Sequence, residues 1–156
     1  MTDRNVFVTS FLTAVLIVAA AFAVRQFFFF ELAKSTIFVA IALMVFYGDN
    51  KFSYMLGFIA PIVWFIAEIL VGSFFTNFQV LYRYLENSPQ NPLGSLETPL
   101  HALSYLGALA LIFVSWRAWH KEVPEKFIGK TLWICFAISL VYSVILAVWY
   151  TRAVHA

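Results

Sequence analysis

Four stretches of this chain are nearly free of charge, and each is as long as a bilayer is thick. Asn5 to Val24, Thr98 to Trp116 and Thr131 to Thr151 contain no Asp, Glu, Lys or Arg, and from Phe52 to Tyr82 the only charged residue is Glu68. The hydrocarbon core of a membrane takes about 20 apolar residues as α-helix, so these runs read as spans. Soluble domains carry about twice the charge found here: of the 156 residues, 63% are hydrophobic and 12% charged, with a mean hydropathy of +0.87. A soluble enzyme, a nucleic-acid-binding domain and a disordered chain are excluded. Outer-membrane barrels use strands of roughly ten alternating residues, and these runs are longer and do not alternate. The expected class is all-α, a polytopic transmembrane helix bundle forming one integral domain over residues 1–156.

Five spans are expected, near residues 6–24, 28–47, 52–75, 99–119 and 125–151. Ala21-Phe22-Ala23 has the small-x-small pattern of a signal-peptidase site, but the preceding run is long enough to be retained as the first span. The second span is the awkward one. Thr36 to Tyr47 is too short to cross alone and must recruit Phe27 to Ser35, bringing Glu31 and Lys34 with it. Those two are three apart on a helix and can pair, while Lys34 can snorkel outward. The alternative is four spans plus a re-entrant second segment, which needs other protein around its exposed backbone. Helix 3 carries Pro61, which frees the carbonyl of Gly57. Phe78, Leu81, Tyr82 and Leu85 then follow at the spacing of a short interfacial helix. Thr98-Pro99 is a helix-start signal, and Pro124 opens the last helix.

With five spans, the N-terminus and the second and fourth connections share a side. They hold Arg4, Lys51, Arg117, Lys121, Lys126 and Lys130, against Arg25, Lys34, Arg83 and Arg152 opposite. The positive-inside rule makes the first side, with the Arg117–Lys130 loop, cytoplasmic.

Glu68 is the residue that most invites chemistry. A charge at mid-bilayer costs about 2.5 to 3.5 kcal/mol on insertion scales, so such residues usually face the bundle interior. Counted along helices of uniform rise, the same depth offers Ser104 and Tyr105 on helix 4 and Tyr142 and Ser143 on helix 5, with His101 a turn nearer the surface. This candidate polar layer contains no expected cation, so a neutral, hydrogen-bonded Glu68 facing helices 4 and 5 is the expectation. Pro61, Trp64, Phe65, Gly72 and Phe75 share its helical face. The series Ser139, Ser143, Ala147 suggests close packing of helix 5, and Trp116, Trp119, Trp133, Trp149 and Tyr150 suggest interfacial belts.

Other chemistry is thin. Cys135 is the single cysteine, which excludes an intrachain disulfide and a thiolate cluster. His101, His120 and His155 lie near span ends without carboxylate spacing, so neither a metal site nor a haem is expected. Phosphate-binding loops, dinucleotide fingerprints and nucleophile elbows are missing. The functional expectation is a small non-catalytic membrane protein, an accessory or structural subunit of a larger assembly. It would work with the bilayer and other subunits or a second copy of itself, without a cofactor but with a possible lipid or quinone contact near Glu68. Two alternatives stay open: a proton- or cation-coupled transporter or channel subunit using Glu68, and an intramembrane enzyme acting on a lipid or isoprenoid, with Tyr105 or Tyr142 assisting.

Overall fold

The computed structural model describes residues 2–23, 28–48, 50–71, 74–75, 78–79, 82, 86, 94–123 and 128–155. These form five long helices: α1 (Thr2–Ala23), α2 (Phe28–Phe46), α3 (Asn50–Val71), α4 (Gly94–Glu122) and α5 (Ile128–His155). All five are long and apolar enough to cross a membrane. In a bilayer every backbone polar group must be satisfied within the protein, and a continuous helix does this unaided. The second segment is one such helix, unbroken from Phe28 to Phe46. The five-span reading therefore holds, and the re-entrant alternative does not describe this chain.

Hydrogen bonds between distant residues fix the up-and-down course. Thr2 Oγ1 donates to Glu122 Oε1 at 2.6 Å, joining the start of α1 to the end of α4. The Tyr54 hydroxyl donates to Asp3, bringing the start of α3 to the same end. Ser10 Oγ, fully buried, donates to the Phe38 carbonyl at 2.6 Å and clamps α1 to α2. The helix N-terminus at residue 2 and the α2–α3 and α4–α5 connections thus lie on one side.

The packing is a four-helix ring with an attached fifth helix. α1 packs on α2 and α4, and α3 closes the ring against α2 and α4. α5 lies outside it, mainly against α3 and at fewer points against α2, with its backbone remote from α4 and α1 among the described residues. α3 is accordingly the most enclosed helix and α5 the least. The buried face of α5 runs through Thr131, Cys135, Ser139 and Leu146. The expected Ser139–Ser143–Ala147 stripe is not that face, since Ala147 is exposed. The reason is periodicity: steps of four, four and seven residues follow a helix that packs along its length, whereas steps of four alone drift off the seam.

Three further expectations change. α4 begins at Gly94, before the Thr98-Pro99 signal, so Pro99 sits inside it. Proline is tolerated close to a helix start because it removes a single bond, here to the Ser95 carbonyl. Trp119 is not a belt residue, for it is 2% exposed and among the largest fully buried side chains. Phe75 is exposed and does not join the interior face of α3. Of the expected interfacial helix, Phe78 and Tyr82 are helical and exposed. Leu81 and Leu85, like Gly72 and Pro124, lie outside the described residues.

Two glycines let the ring close. An added Cβ at Gly107 would stand 2.6 Å from Thr13 Oγ1 and 3.4 Å from Thr13 Cβ, across the α1–α4 contact. At Gly57 it would stand 2.5 Å from Ser115 Oγ, across the α3–α4 contact. Small residues at such crossings allow the close helix packing that holds membrane bundles together. Gly107→Ala should destabilise the fold by about 1 to 3 kcal/mol, the usual range for overpacking. Thr13 is β-branched and cannot rotate away freely, so Thr13→Ala should restore most of the loss. Unfolding in mixed detergent micelles, followed by circular dichroism, gives the comparison.

Candidate functional site

The amino-terminal third of α2 brings two ionisable residues to the interior because its short apolar core cannot span alone. Glu31 and Lys34 stand one helical turn apart. Antiparallel packing places them against the last turn of α3, where Glu68 sits. Lys34 Nζ is 3.0 Å from Glu31 Oε1 and 3.1 Å from Glu68 Oε1, so one ammonium bridges two carboxylates from two helices. Side-chain exposure is 12% for Lys34 and 8% for each glutamate. The Phe30 ring lies under the ammonium, 4.9 Å from centroid to Nζ. Such a contact favours the cationic form when water is excluded.

The two carboxylates are served unequally. Glu68 Oε1 also accepts from the Trp64 indole at 3.2 Å, and Oε2 accepts from the Tyr105 hydroxyl at 3.3 Å. Glu68 therefore has three donors from three different helices: Lys34, Trp64 and Tyr105. Glu31 Oε1 has Lys34, while its Oε2 is buried without a hydrogen-bond partner. A buried polar atom left unpaired costs about 1 to 3 kcal/mol, more when charged.

Aromatic rings close the site. Trp64 lies between Phe38 and Tyr105, with centroids 5.8 and 5.1 Å away. Phe65, Phe74 and Phe78 pack around Tyr105 on the side leading to the end of α3. On the α2 side, Phe30 meets Trp149 and Tyr150 of α5.

Among the residues expected in the polar layer, Glu68 and Tyr105 are in contact. Ser104 is buried beside them but spends its hydroxyl on the His101 carbonyl at 2.7 Å. His101 is buried one turn away. Tyr142 reaches the ring from α5, yet it donates to the Ala33 carbonyl rather than to Glu68. That carbonyl also accepts from Thr36, and it belongs to the residue preceding Lys34. Ser143 is half-buried on the same helix. Glu68 consequently faces α2 and α4 rather than α4 and α5. The expected absence of a cation at its level is corrected outright by Lys34, which points inward instead of snorkelling. The inward course is favoured because two carboxylates and an aromatic face replace the water that Lys34 gives up.

The site also lies nearer one end than a mid-bilayer position. Lys34 is about 9 Å along α2 from Phe28, and Glu68 about 4.5 Å from the last residue of α3, at 1.5 Å per residue. The other end of α3, with the Asp3–Tyr54 contact, is about 27 Å from Glu68 on the same rise. Among the described residues no group of three His, Cys, Asp or Glu side chains could hold a metal ion. Compared with family models, with curated proteins and with solved structures, the chain matches none, so the geometry of the Glu31–Lys34–Glu68 triad carries the functional argument alone.

Proposed function

We propose that this integral membrane protein is a small proton-coupled transporter or channel subunit in which the Glu31–Lys34–Glu68 triad takes up and releases one proton. The observation that carries the reading is the charge imbalance: two carboxylates and one ammonium, all nearly excluded from solvent. A Glu–Lys pair alone would be neutral. The additional carboxylate leaves one negative charge in a medium where an unpaired ion is expensive. A proton removes that charge without needing space. Glu68 is walled in by Trp64, Tyr105 and Lys34, which favours a proton over a quinone, a lipid head group or an isoprenoid substrate, since each of these would have to displace a side chain.

The approach is from the end carrying the α1–α2 and α3–α4 connections. Because Lys34 is neutralised inside the protein, the cations counted for that side fall from four to three, against six on the other. Under the positive-inside rule this count supports a cytoplasmic N-terminus and Arg117–Lys130 loop, with the triad toward the opposite face. An accessory subunit held together by the same contacts would keep a fixed protonation state.

Infrared difference spectroscopy on the protein in lipid vesicles separates the two. A protonated carboxyl band is expected at neutral pH, exchanging with deuterium and diminishing as the pH rises. In sealed vesicles of known orientation it should follow the pH on the triad's side. A band that is absent, or that ignores pH between 5 and 9, would establish the structural role instead.

A further inference from the structure

We infer that Glu31, on its Oε2 atom, is the residue that carries the exchangeable proton, while Glu68 is the permanent counter-ion of Lys34. This deepens the proton-coupled reading and rests on it. The assignment comes from hydrogen-bond supply. An ionised carboxylate is stabilised by each donor aimed at it, and hydrogen bonds to a charged acceptor are stronger than neutral ones. Glu68 receives Lys34, Trp64 and Tyr105 over both oxygens. Glu31 receives Lys34 on Oε1 and nothing on Oε2. Of the two, Glu31 loses least by becoming a carboxylic acid, and the proton fits on the oxygen that has no partner.

Among the described side chains, the elements packed on α2 supply no competing charge. α1 has only Asp3 and Arg4 as described ionisable residues, both at the opposite end. α3 contributes Glu68, with Lys51 and Tyr54 at its far end. α5 brings Tyr142, already donating to Ala33, and Tyr150 against Phe30. Lys130 is at its far end, and Arg152 is exposed beyond Tyr150. Among the described residues, Glu31 and Glu68 make no ion pair except with Lys34. Proton binding is then a simple addition: carboxylate plus proton gives carboxylic acid on Glu31, and Lys34 stays charged with Glu68 as its partner.

Dicyclohexylcarbodiimide is the probe, because it reacts with carboxylic acids rather than carboxylates and partitions into apolar surroundings. Wild-type protein in lipid vesicles at neutral pH should acquire the adduct on the peptide containing Glu31, and mass spectrometry should show the adduct lost at alkaline pH. Adduct on Glu68, or on neither residue, overturns the assignment. A second measurement uses the balance of charge. Glu68→Gln leaves Glu31 as the sole counter-ion of Lys34, so Glu31 should ionise and its labelling should disappear, whereas undiminished labelling of Glu31 in that variant contradicts the inference. The infrared band tells the two failures apart. Glu31→Asp should move the band and Glu68→Asp should not. A band that moves only in Glu68→Asp refutes the assignment to Glu31 but keeps the proton-coupled reading, whereas a wild-type protein with no titrating band refutes that reading itself.

Discussion

Lys34→Met should be among the most damaging single substitutions in this chain, costing about 3 to 5 kcal/mol of stability, the usual penalty for removing one partner of a buried ion pair. Methionine fills much of the same volume, so the loss isolates the charge. Two carboxylates would then face one another 8% exposed, without the ammonium that now lies 3.0 and 3.1 Å from them. Glu68, left without its counter-ion, would then have to take up a proton as Glu31 does. Adding Glu31→Gln and Glu68→Gln to Lys34→Met should recover most of the stability, because replacing a whole buried ionic group is far less harmful than breaking it. The three contacts share one centre, so the substitutions should be strongly non-additive. Denaturation in mixed micelles measures the series, and purely additive losses would show that Lys34 contributes packing rather than charge.

The second large effect is expected far from the triad. Trp119→Ala removes one of the largest fully buried side chains and should cost about 3 kcal/mol, the lower part of the aromatic-to-alanine range. The lower part applies because lipid tails are as apolar as the protein interior, leaving lost packing as the main term. Trp133, 67% exposed on the outer face of α5, supplies the control. Trp133→Ala should change stability by no more than about 0.5 kcal/mol. Equal effects at the two positions would mean that both tryptophans meet lipid, and that Trp119 does belong to an interfacial belt.

The spans were legible because lipid enforces a simple rule, that every crossing be a long apolar helix. Asn5–Val24 and Thr131–Thr151 meet it without exception. Helix-to-helix placement was less legible, since a span that is apolar all round does not announce which face it buries. Thus α5 was expected beside Glu68, yet it packs outside the ring, and Trp119 reads from sequence like any other tryptophan near a span end. Lys34 is the instructive miss. By depth alone, Lys34 on helix 2 falls near the level of Glu68. From Phe52 to Glu68 is about 24 Å of helix and from Tyr47 back to Lys34 about 20 Å, a difference that a lysine side chain covers. The obstacle was the Glu31–Lys34 spacing, which reads as a self-sufficient local pair. A local pair near a span end suggests a charge that looks outward, and nothing in the spacing reveals that a third group waits on the neighbouring helix.

The off-centre position of the triad has an electrical consequence. Moving one elementary charge across a whole membrane at 100 mV involves about 2.3 kcal/mol. Measured from the described helix ends at Phe28 and Val71, a proton entering from the near end to a depth of about 4.5 to 9 Å crosses only about a sixth to a third of a hydrocarbon layer about 30 Å thick. With the field falling evenly through that layer, the membrane voltage changes proton binding by roughly 0.3 to 0.7 kcal/mol per 100 mV, no more than half a pH unit. If the triad is proton-coupled as proposed, Glu31 would respond to the acidity of one compartment while remaining nearly indifferent to the potential between the two.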